Sequence, residues 1–90
     1  MNHIIYTDHA LLRMAQRGVS YAQVERVLQY GRKIYHRGAL IFLVGKREIR
    51  RLAGFVNDIH ELEGLHVVVN SECVVITTYR NRATVFRVRS

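Results

Sequence analysis

One cysteine, no proline and only seven acidic residues mark this 90-residue chain, and each scarcity removes possibilities. With Cys73 alone, no intramolecular disulfide can form and no thiolate metal site can be assembled. Cys73 stands in a valine-rich strand pattern, where a small buried hydrophobe is the simplest expectation. No proline- or serine-rich linker, repeat or low-complexity run divides the chain, so residues 1–90 are expected to form a single domain. The longest apolar run, Ala39 to Val44, is far too short to span a bilayer, and the N-terminus lacks the apolar region of a signal peptide. A cytoplasmic protein with no membrane partner is the expectation. The glycines are scattered at element ends, so there is no glycine-rich phosphate loop. There is no His-Glu-x-x-His, no Cys pair and no acidic cluster with ligand spacing. His60, Glu61, Glu63 and His66 are close in sequence, but no recognised ligand spacing joins them. Neither a metal nor another cofactor is expected. Nothing resembles a nucleophile elbow, which leaves Ser-His-Asp and Cys-His catalysis without support.

What the chain does have is arginine. Fourteen basic residues face seven acidic ones, giving a net charge of +7, and twelve of the fourteen are Arg. A guanidinium grips phosphate with a planar fork of donors, whereas an ammonium acts as a point charge. The balance points to a polyanionic partner: RNA, DNA, or an acidic protein covering the same surface. The apolar fraction of 49% makes the chain globular rather than disordered, although a domain of this size buries only about two-thirds of its unfolded surface.

The pattern along the chain predicts an α+β fold. His3–Tyr6 reads as a short edge strand. Thr7 is a good N-cap, Asp8 complements the helix dipole, and Gly18 is placed to end the first helix in a left-handed conformation. Ser20 and Gln23 form a capping-box pattern, with Val19 able to staple onto Val24. The buried stripe of this second helix is expected to be Tyr21, Val24, Val27 and Leu28, with Gly31 at its end. Strands follow at Lys33–His36 and Ala39–Val44 around Arg37-Gly38. Lys46–Ala53 reads as a helix, and Asn57–Gly64 as one helical turn capped by Asn57 or Asp58. Leu65–Asn70 and Cys73–Arg80 are strong strands around a Ser71-Glu72 turn, and Ala83–Val88 could add an edge strand. The order β-α-α-β-β-α-β-β gives two N-terminal helices packed on an antiparallel sheet of about four strands.

With a two-residue turn, Asn70 lies opposite Cys73, Val68 opposite Val75 and His66 opposite Thr77. One face then carries Leu65, Val67, Val69, Val74 and Ile76, extended by Thr78 and Arg80. The other carries His66, Val68, Val75, Thr77 and Tyr79.

The first helix holds the most suggestive chemistry. His9, Arg13 and Arg17 recur at i, i+4 spacing and drift by only about 40° per step, with Gln16 among them. Leu11, Leu12, Met14 and Ala15 are expected on the opposite, core side. Metal-free cleavage of RNA needs a proton-transfer group and fixed cations for the phosphate, and His with Arg supplies both. The candidates are His9, Arg13, Arg17, Tyr79 and Arg80, with Tyr35, His36 and His66 as outlying alternatives. Lys46, Arg47, Arg50 and Arg51 form a basic helix face suited to holding nucleic acid. The same opening helix also fits two plainer readings: a solvated face, or a structural lock in which Arg13 or Arg17 bonds the sheet.

The segment Thr7-x-His9-Ala10-x-x-Arg13-Met14-x-x-Arg17-Gly18-Val19-Ser20, with Val75-Ile76-Thr77-Thr78-Tyr79-Arg80, resembles a widespread bacterial family of small proteins. That family has a T-x-H-A-x-x-R-M-x-x-R-G-[IV]-S opening and a V-I-T-x-Y-R close. It is similar to the RelE/ParE-like and barnase–colicin-type ribonuclease superfold, which includes metal-independent ribonucleases, gyrase poisons and non-enzymatic members. The resemblance implies a RelE-like fold and hallmark positions at His9, Arg13, Arg17, Thr77, Tyr79 and Arg80; of the candidate site residues, Thr77 and His66 are expected in a supporting role. It also implies a toxin-like endoribonuclease restrained by an acidic antitoxin or other partner protein. The alternative is a non-catalytic module that binds nucleic acid or protein.

Overall fold

The computed structural model describes residues 3–81. In chain order it contains β1 (Ile5–Tyr6), α1 (Asp8–Arg17), α2 (Tyr21–Tyr30), β2 (Arg32–His36), β3 (Ala39–Leu43), α3 (Lys46–Leu52), a 3-10 turn (Ile59–Leu62), β4 (Leu65–Val69) and β5 (Val74–Arg80). This is the order the sequence predicts, and the 3-10 turn is the helical turn expected between Asn57 and Gly64. The edge strand expected over Ala83–Val88 lies outside the described residues.

Local signals explain the helix ends. The Thr7 hydroxyl accepts the Ala10 N–H at 3.0 Å, and Gly18 closes α1 at φ 67°, where any other residue would be strained. Ser20 and Gln23 exchange both bonds of the capping box, at 2.9 and 3.1 Å. Gly31 ends α2 for a different reason. Its backbone is extended, not left-handed, but a Cβ there would lie 2.7 Å from the Val27 carbonyl oxygen and 2.9 Å from that of Leu43. Only a residue without a side chain lets the end of α2 approach β3 this closely.

The strands form one sheet in the order β1-β5-β4-β3-β2. The four strands β2 to β5 are antiparallel, but β1 runs parallel to β5, so the sheet is mixed and has five strands where about four antiparallel ones were expected. The β2–β3 hairpin turns on Arg37 and Gly38, both at positive φ, as expected.

The last hairpin differs from expectation at its turn. Asn70 Oδ1 accepts the N–H groups of Glu72 and Val74, and the Cys73 N–H donates to the Asn70 carbonyl. The loop is therefore three residues, Ser71-Glu72-Cys73, with Cys73 in the left-handed region at φ 65°. This puts Cys73 on the surface, correcting the expectation that it is buried. A β-bulge then shifts the register, so that Val69 pairs with Val75, Val68 with Thr77 and His66 with Tyr79. The bulge moves Val75 onto the helix-covered face beside Leu65, Val67 and Val69; it does not move Thr78, which is buried on that face as expected.

Helices α1 and α2 cover this face through Ala10, Met14, Val24 and Val27. Leu11, Leu12 and Ala15 are exposed, not core, because Ala10 and Met14 mark the side of α1 turned to the sheet. Replacing Gly31 by Ala is expected to lower stability by about 1–3 kcal/mol through this backbone clash. An unchanged denaturation midpoint for Gly31→Ala would show that α2 and β3 can separate without cost.

Candidate nucleic-acid interface

The sheet face turned away from α1 and α2 is organised in rows across four strands. Register places Arg32, Leu43, His66 and Tyr79 in one row, and Ile34, Ile41, Val68 and Thr77 in the next. The second row is mostly apolar. The first brings together a cation, an imidazole and a phenol. His66 is buried, and its ring stacks on Tyr79 with centroids 4.5 Å apart and planes 18° from parallel. His66 Nδ1 lies 2.7 Å from the Gly64 carbonyl, which can only accept, so Nδ1 carries the hydrogen. Burial is the main cause that pushes the His66 pKa down, helped by the Arg32 charge and opposed by the Gly64 bond. Burial likewise raises that of Tyr79.

Beside this row stands α3, which starts where β3 ends. Glu48 reaches back to the Gly45 N–H at 2.9 Å, closing the helix start, and its second oxygen lies 3.9 Å from Arg32 Nε. Glu48 is itself 3% exposed, so its charge is held inside by these two partners. Arg47, Arg50 and Arg51 are spaced i, i+3, i+4 and therefore share one side of α3. With Arg32 and Glu48 they line an open cavity of about 400 Å³. Among the described residues, these three arginines have no acidic partner. Lys46, the fourth cation of the basic run, instead pairs with Glu63 at 3.8 Å.

The opening helix is placed differently from this cluster. On α1, Ala10, Met14 and Arg17 follow i, i+4, i+7, so Arg17 reaches the sheet although it is itself exposed. Its guanidinium donates to the Thr78 carbonyl at 3.1 Å. Arg13 donates to Gln16 on its own helix at 3.1 Å. The His9 side chain is exposed and makes no hydrogen bond or ion pair among the described residues. It lies about 12 Å along the helix axis from Arg17. The other two members of the expected constellation are engaged elsewhere: Tyr79 on His66, and Arg80 with the carbonyls of Glu61 and Glu63 at 2.9 and 3.0 Å. Thr77 sits in the apolar row.

Two residues of the cluster, Arg32 and Glu48, escape sequence reasoning. Glu48 had a signal, since Gly45-x-x-Glu48 has the spacing of a helix start and Glu48 is the one acid in the basic run. Arg32 had none that set it apart from other strand cations. A second cavity, of about 610 Å³, lies at the hairpin tips between Leu28, Leu40, Phe42 and Val69, with Cys73 at its margin. Among the described residues no three His, Cys, Asp or Glu side chains are grouped to hold a metal ion.

Two measurements test these placements. Arg17→Ala is expected to cost about 1 kcal/mol by removing a charged donor from a strand carbonyl. His9→Ala should stay within about 0.5 kcal/mol of the parent, so equal losses in thermal unfolding would refute the distinction. For His66 the sign follows from its depressed pKa. The unfolded chain takes up the proton near pH 6.5 while the folded one resists, so stability is complete above that value and is lost as pH falls through it. His66→Phe, which keeps an aromatic ring against Tyr79, should therefore lose less stability than the parent between about pH 7.5 and about pH 5.5 in urea titrations.

No curated protein and no solved structure matches the chain. A family profile does: it spans residues 6–80, from the last residue of β1 to the last of β5. That stretch contains α1, the arginine face of α3 and the His66–Tyr79 row. The chain belongs to the family described as a domain of unknown function, DUF4258.

Proposed function

We propose that this protein binds RNA through the arginine side of α3 and the adjoining Arg32 end of the sheet. The observation that carries this reading is the set of three arginines without acidic partners, turned with Arg32 toward one cavity whose single carboxylate is already engaged. Guanidinium groups left unpaired on one helix side repel each other, and a phosphate chain relieves that repulsion while taking bidentate hydrogen bonds. The net charge of +7 adds a long-range attraction for the same partner. An acidic protein of the antitoxin kind would be drawn to the same cations.

Metal-independent cleavage of the bound RNA is the second reading. The observation favouring it is His9, an imidazole left open to solvent one helical turn before Arg13. In this form the reaction draws on His9 and Arg13 alone from α1, because Arg17 holds the sheet. A RelE-like relationship would support it.

Binding is tested by fluorescence anisotropy with a labelled RNA across a salt series. Replacing Arg47, Arg50 and Arg51 together by Ala should reduce the salt dependence of log K by about 2, at roughly 0.7 per lost phosphate contact. An unchanged slope would place the RNA elsewhere. In EDTA, His9→Ala should abolish any cleavage yet leave affinity intact; cleavage that survives the substitution removes His9 from the chemistry.

A further inference from the structure

We infer that Phe55 is a base-stacking platform that makes the α3 side of the protein selective for single-stranded over duplex RNA. The inference rests on α3 being the RNA-binding element. Phe55 is 86% exposed, although the surrounding apolar residues Leu52 and Val56 are packed against the core. Its position is what matters. Ala53 has right-handed helical backbone angles and donates to the Ile49 carbonyl at 2.9 Å, and Val56 donates to that of Leu52 at the same distance. The Phe55 N–H donates to that same Leu52 carbonyl at 2.9 Å, a three-residue bond, so the chain leaves α3 through a tightened helical turn. At about 100–120° per residue, Phe55 stands roughly one turn beyond Arg51.

A solitary exposed aromatic ring is unremarkable on a protein surface. One standing a helical turn beyond a row of unpaired arginines has a definite use. Single strands are held by cations that follow the phosphates and by aromatic faces on which unpaired bases stack. In a duplex the bases are already stacked on one another, so the ring has nothing to receive and only the arginines can contribute. Leu52 and Val56 anchor the segment on its core side, which fixes the ring in the open without requiring it for folding.

The test compares a labelled single-stranded RNA 12-mer with the same sequence as a duplex. Phe55→Ala is expected to weaken single-strand binding about tenfold, to leave duplex binding unchanged, and to preserve the salt slope that the arginines set. The chain contains no tryptophan, so Phe55→Trp supplies a single indole, whose selectively excited emission should be quenched by the single strand and not by the duplex. If Phe55→Ala binds the single strand as the parent does, while the triple arginine variant still loses its slope, the stacking role is wrong and the arginine interface stands. If the parent protein binds neither RNA, both readings fall.

Discussion

The outer edge of β5 has to be hydrogen-bonded by something, and β1 is long enough to face only Val74 and Val75. Beyond that point the strand would present open carbonyls, the usual template for unwanted pairing. Helix α1 supplies what β1 lacks. The Thr7 N–H donates to the Val75 carbonyl, its hydroxyl donates to that of Ile76, and Arg17 reaches the Thr78 carbonyl. Thr7 thus serves two elements at once, since the same hydroxyl accepts the Ala10 N–H that starts the helix. A residue that caps a helix and joins it to a strand fixes both the position of α1 and its rotation. Ala10 and Met14 then face the core, and Leu11 and Leu12 are left outside.

The opposite side of the sheet follows from a different constraint, the burial of charge. Glu48 sits inside with Arg32 and the Gly45 amide as its partners, so α3 must begin against the start of β2. With Glu48 held there, the remaining basic residues of α3 are turned outward along one side. Arg80 contributes a comparable tie at the far edge, through the carbonyls of Glu61 and Glu63 before β4. Among the described residues, Arg17, Arg32 and Arg80 thus close backbone or carboxylate groups, whereas Arg47, Arg50 and Arg51 have no acidic partner. The proposed interface is built from Arg47, Arg50 and Arg51, with Arg32 beside them already tied to Glu48.

The boundary between what could and could not be read from sequence follows the range of each interaction. Thr7, Gly18, Ser20 with Gln23, and Arg37-Gly38 act within a few residues, and the helices and first hairpin were legible from them. Both faces of β4 were legible too, because strand alternation alone sets them. The bulge in β5 was not, since a register shift depends on turn geometry at Asn70 and Cys73 that composition does not encode. That error moved Val75 and exposed Cys73. The role of Arg17 was legible only as one option among several. Its partner is a backbone carbonyl, which leaves no complementary side chain in the sequence to find. Most of the cluster beside α3 was visible as the Lys46–Arg51 run, yet Arg32 was not, because its contact with Glu48 crosses from strand to helix.

The bond from Thr7 to Ile76 spans 69 residues. At about 5–20 residues per second on the ribosome, roughly 3–14 seconds separate the synthesis of these two partners. During that interval α1 can coil, since its caps are local, but its Ala10–Met14 side has no sheet edge to meet. The four antiparallel strands are also incomplete until β5 emerges. This chain consequently closes its fold late and nearly all at once, with its first helix waiting for almost its last strand.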